Sequence, residues 1–142
     1  MGIKLLNKAA PPKVPFYLEL GDWVCESMAD HKRVSPPMYV VGIWTNGVYL
    51  EIDPEQGDPF EADYKDIIPI KITDEILANN KALGKHIVNS GKVFITNYGN
   101  LYKATFLHFN HDMSQSQTAF MRYVHELQHF YRQIDAGKEI KL

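Results

Sequence analysis

The chain has 142 residues, 45% of them hydrophobic and 23% charged, which is ordinary globular usage and excludes wholesale disorder. Lys and Arg number 15 against 17 Asp and Glu, a net charge of -2, which counts against a protein that grips nucleic acid mainly through phosphates. The one cysteine, Cys25, excludes an internal disulfide and fits a reducing compartment.

Residues 1–17 read as an extended, Pro-rich leader. Pro11, Pro12 and Pro15 remove backbone donors and disfavour helix. Lys4 and Lys8 interrupt the only apolar run near the start, so no signal peptide is expected. No stretch approaches the roughly 20 apolar residues of a membrane span. A soluble cytoplasmic protein is the expectation.

Leu18-Glu19-Leu20-Gly21-Asp22-Trp23-Val24 reads as a turn entering a strand. Met38–Thr45 and Val48–Ile52 are rich in β-formers and flank Asn46-Gly47, which predicts a tight hairpin turning at that dipeptide. The acidic stretch Glu51–Asp66 contains Pro54, Gly57 and Pro59 and is expected to be a loop. Ile67–Ile72 predicts a short strand, placed at an edge by Pro69. Thr73 is positioned as a helix N-cap, with Asp74 and Glu75 in the first turn and Gly84 as the stop. A second hairpin follows, Lys92–Thr96 and Leu101–Phe109 around Asn97-Tyr98-Gly99-Asn100. A long amphipathic helix is predicted from about Gln115 to Asp135, with Ser114 and Gln117 at capping-box spacing.

This order predicts an α+β fold. Its N-terminal half, 18–72, is similar to a small SH3-like β-barrel. The second half, 73–142, would add the short helix, the second hairpin and the long helix to make a single domain.

His125-Glu126-Leu127-Gln128-His129 spells H-E-x-x-H. Two histidines at i and i+4 share a helix face and can reach one zinc ion, and the glutamate can polarise a bound water as general base. The helical wheel points elsewhere. Phe120, Val124, Leu127, Tyr131 and Ile134 form an apolar stripe, which would leave His125 and His129 on a solvated face with an Arg122–Glu126 pair. A wider metal site would add His108 and His111 if the second hairpin's end met the last helix. Cys25, beside Trp23 and Val24, reads as a small buried residue rather than a nucleophile. Trp44 and Tyr49 flank the first hairpin turn and form a candidate interaction surface.

The order of phrases resembles that of small proteins encoded in phages, prophages and mobile elements of anaerobic gut bacteria. The resemblance rests on Leu18-Glu19-Leu20-Gly21-Asp22-Trp23-Val24 and on Ile67-Ile68-Pro69-Ile70-Lys71-Ile72-Thr73-Asp74-Glu75. Its most specific part is the close, Val124-His125-Glu126-Leu127-Gln128-His129-Phe130-Tyr131 followed by Gly137-Lys138-Glu139-Ile140. In the family phrase Asn stands where this chain has His129, which implies that H-E-x-x-H is incidental. No activity is attached to that family.

The leading expectation is therefore a non-enzymatic interaction module with an unspecified protein partner, no cofactor and no membrane attachment. A zinc hydrolase using His125, His129 and Glu126 is the alternative. A nucleic-acid accessory protein using the barrel face is a further one.

Overall fold

The computed structural model describes residues 17–28, 33–52, 57–80, 87–88, 91–109, 114–134 and 140–142. The leader up to residue 16 and the expected helix stop at Gly84 lie outside them. The fold is α+β and dominated by strands. It divides into two compact units, Met1–Pro69 and Ile70–Leu142. No helix among the described residues is long and apolar enough to cross a membrane.

The first unit contains β1 (Trp23–Glu26), β2 (Met38–Trp44), β3 (Gly47–Glu51), β4 (Phe60–Asp63), a 3-10 turn (Tyr64–Asp66) and β5 (Ile67–Pro69). Its sheet has the order β4-β3-β2-β1-β5 and is antiparallel throughout. The sheet is open, with β4 and β5 as edges, so the expectation of a closed barrel is corrected. Pro69 lies on the edge strand β5, as its missing N–H requires.

One face of this sheet makes the core. Val24, Met38, Val40, Val48, Leu50, Ala62 and Ile67 are buried there with Leu18, and Tyr64 packs against them. The other face carries Trp23 against Tyr39, with ring centroids 3.7 Å apart. Asp22 N–H donates to the Glu19 carbonyl at 3.2 Å, and Gly21 between them has φ 88°. A turn of this kind needs the left-handed conformation that glycine adopts freely. The Asp22 carboxylate, fully buried, accepts the Glu19 N–H at 2.7 Å and locks the turn.

The first hairpin forms with a different turn from the one expected. Trp44 pairs with Gly47, so Thr45-Asn46 are the loop and Gly47 opens β3. Gly47 is required for another reason: a Cβ there would overlap the Ala62 carbonyl oxygen of β4. The acidic stretch is likewise not all loop. Its second half forms β4 and the 3-10 turn, because Ala62 fills a core position opposite Val48.

The second unit contains α1 (Asp74–Asn79), β6 (Ile87–Val88), β7 (Gly91–Asn97), β8 (Tyr102–Phe109), β9 (Ser114–Met121) and α2 (Val124–Ile134). Its strands form an antiparallel meander in the order β6-β7-β8-β9. Thr73 caps α1 as expected, accepting the Ile76 N–H at 3.1 Å. The second hairpin turns through Gly99 (φ 89°), whose N–H donates to Asn97 Oδ1 at 2.6 Å. Asn80 clamps the chain end, donating to the Lys141 carbonyl at 2.8 Å and accepting the Lys141 N–H at 2.9 Å.

The long terminal helix is corrected. Residues 114–121 are strand β9, paired residue for residue with β8 from Phe109↔Ser114 to Tyr102↔Met121. Among the described residues of this stretch, Val124–Ile134 alone is helical. Ser and Thr are poor helix formers, and a complete ladder along β8 satisfies their backbone groups instead. The supposed capping box at Ser114 and Gln117 therefore falls inside a strand.

Candidate binding face on the second sheet

α2 carries the H-E-x-x-H residues, and the structure changes their reading. Val124, Leu127, Tyr131 and Ile134 are buried as the wheel requires, but so are His125, Gln128 and Phe130. His125 is 0% exposed and His129 is half-buried, so the outward-facing imidazole expected at 125 is corrected. The burying arc of α2 is wider than a single stripe. Phe120, assigned to that stripe from the sequence, lies on β9 and is 58% exposed. The His125 ring stacks on Tyr123 at a centroid distance of 5.8 Å and meets the edge of His129 at 5.6 Å.

Glu126 has a structural task. Its Oε1 accepts the Arg122 N–H at 3.0 Å and the Tyr123 N–H at 3.1 Å. Tyr123 is the N-cap and Glu126 the third helical residue, so this is the glutamate half of a capping box. The i,i+4 side-chain pair expected between Arg122 and Glu126 is replaced by this main-chain bond, because Arg122 precedes the helix. A general base must point at a metal-bound water, whereas this carboxylate points at its own helix start. Glu126 Oε1 is thus engaged at the start of α2.

His108 pairs with Gly91 and Gln115, at the opposite end of the β8–β9 ladder from the Met121 end that feeds α2. His111 lies outside the described residues. Cys25 is half-buried on β1, and burial pushes its thiol pKa up, away from nucleophilic use. Trp44 is half-buried and Tyr49 is 37% exposed, resting over Gly42.

The second sheet shows a feature that the strand pattern hides when β9 is taken as helix. Along β7, β8 and β9 the residues alternate between faces. Val93, Ala104, Phe106, Tyr102 and Met121 fill the buried face. The opposite face presents Lys92, Phe94 and Thr96 from β7, Lys103 and Thr105 from β8, and Thr118 and Phe120 from β9. Phe94 is 42% exposed and Phe120 58%. Each ring has an ammonium group over it: Lys92 Nζ lies 5.1 Å from the Phe94 centroid, and Lys103 Nζ lies 5.9 Å from that of Phe120. Among the described side chains of this face there is no carboxylate.

At the Tyr102 end of the sheet a cleft of about 370 Å³ is lined by Lys71, Arg122, Tyr102, Tyr123 and the turn residues Gly99 and Asn100. The Tyr102 hydroxyl donates to Asp74 at 2.9 Å; burial, and then the bond to that carboxylate and its charge, raise its pKa. Comparison with family models, with curated proteins and with solved structures finds no match.

Proposed function

We propose that the protein is a non-enzymatic interaction module, of the phage and mobile-element kind that its closing phrase resembles. The observation that carries this reading is the second sheet's outer face, where Phe94 and Phe120 stand 42% and 58% exposed beside lysines. Two large apolar rings displayed on one sheet face give a partner apolar surface to cover. The capping role of Glu126 supports the non-catalytic half of the reading. We read the first unit as SH3-like in strand order, a four-stranded meander β1–β4 whose fifth strand follows a 3-10 turn and returns to pair with β1; this too suits a binding module.

The test concerns catalysis first. Protein purified without a tag is supplied with zinc and assayed on peptide and ester substrates, beside Glu126→Gln. No turnover above background is expected from either. Hydrolysis by the wild type that disappears in Glu126→Gln, with stoichiometric zinc that is lost in His129→Asn, overturns the reading in favour of a hydrolase.

A further inference from the structure

The partner class follows from the chemistry of this face, and the inference rests on the module reading above. We propose that the outer face of the β7–β9 sheet binds single-stranded nucleic acid, with Phe94 and Phe120 stacking on bases and Lys92 and Lys103 meeting phosphates.

Two observations besides exposure carry it. One is the repeated placement of an ammonium group over an exposed ring. A nucleotide offers a π-face and a phosphate at the same spacing scale, so a base can take the ammonium's place over the ring while the ammonium turns to the phosphate. Phe94 and Phe120 lie on strands two apart, roughly 10 Å across the sheet, which leaves room for separate bases. Rings on a flat sheet are useless to a duplex, whose bases are already stacked, and they suit strands whose bases are splayed.

The other observation is the division of charge. The net charge of -2 is disfavouring only when averaged over the whole chain. Residues 70–142 carry nine Lys and Arg against six Asp and Glu, while residues 1–69 carry six against eleven. The unit that holds the aromatic face is therefore the basic one, and the acidic stretch belongs to the other. An acidic peptide would satisfy the lysines but would leave both rings without a stacking partner.

Full-length protein is titrated against short labelled oligo-dT, oligo-rU, a DNA duplex and a polyglutamate peptide at several salt concentrations. Binding to one or both single strands is expected. Phe94→Ala and Phe120→Ala should each weaken it roughly 5- to 100-fold. Phe94→Tyr and Phe120→Tyr should retain it, since a tyrosine ring stacks as well. Lys92→Gln and Lys103→Gln should each flatten the log–log salt slope by about 0.7. The proposal is overturned by absence of single-strand binding, by equal affinity for duplex or polyglutamate, or by Ala variants that bind as the wild type does. Tyr variants that lose binding as fully as the Ala variants also overturn it. Failure of these titrations leaves the module reading intact, whereas turnover abolished by Glu126→Gln removes that reading whatever the oligonucleotides do.

Discussion

Glu126 illustrates how one carboxylate can be read two ways at the residue scale. Spacing alone makes it a general base; two hydrogen bonds from main-chain N–H groups make it a helix cap. The two roles separate on substitution. Glu126→Ala should lower stability by about 1 kcal/mol, a typical cost of a lost cap, and Glu126→Gln should retain most of it because an amide oxygen still accepts. Urea unfolding of the two variants checks this, and equal losses would contradict the capping role. Tyr131 gives a second test. It is 1% exposed, and its hydroxyl has no hydrogen-bond partner among the described residues. Burial pushes its pKa up to about 12, from an ordinary value near 10. The unfolded chain therefore ionises first. The stability held by the neutral phenol is whole below about pH 10 and is lost as pH rises toward about 12, by an amount on the order of 2 kcal/mol. Tyr131→Phe should lack that part of the alkaline fall and should be neutral or up to about 1 kcal/mol more stable near pH 8. Chemical denaturation from pH 8 to 11.5 measures both; parallel curves would refute the assignment.

Gly47 and β9 show what happens at the scale of elements. Asn46-Gly47 correctly marks a hairpin, because few dipeptides fit so tight a reversal. The register is nevertheless set by the third strand: β4 runs so close to Gly47 that a side chain there would strike the Ala62 carbonyl oxygen. Gly47→Ala should therefore cost about 1–3 kcal/mol through overpacking against backbone. A thermal melt unchanged by this substitution would contradict the close approach. β9 is the larger lesson. Ser-Gln-Ser-Gln-Thr-Ala-Phe-Met has some apolar spacing that fits a helix continuing into Val124, yet it pairs along all of β8. Helix and strand readings of such a segment differ by little in local propensity, and a waiting strand edge decides between them. That error also concealed the candidate face. With β9 read as helix, Phe120 joins a core stripe; as a strand residue it stands beside Lys103 on an open surface.

Over the whole molecule, average composition is a poor guide because the charges are not shared evenly. Eleven of the 17 acidic residues belong to residues 1–69 and nine of the 15 basic ones to residues 70–142. Each unit also has its own antiparallel sheet. The first is held by an alternating inward set from Val24 to Ile67. The second is held by a buried strand face, with Val124, Leu127, Tyr131 and Ile134 buried along the following helix. Trp44 and Tyr49, singled out from their places beside a turn, belong to the acidic unit, where Tyr49 pairs with Glu61 across the β3–β4 ladder. The face with Phe94 and Phe120 carries lysines instead, and it was visible in the sequence only as two scattered phenylalanines.

Local chemistry alone determined the features that depend on few neighbours: the Thr73 cap, the glycine turn at Gly21, both hairpins, the edge position of Pro69 and the apolar spacing of Val124–Ile134. These are fixed by steric limits and hydrogen bonds within a few residues. The open sheets, the strand state of 114–121, the burial of His125 and the display of Phe94 with Phe120 were decided by tertiary pairing. Each depends on which backbone edge or side chain arrives from a distant part of the chain, and local preferences there are too nearly balanced to choose.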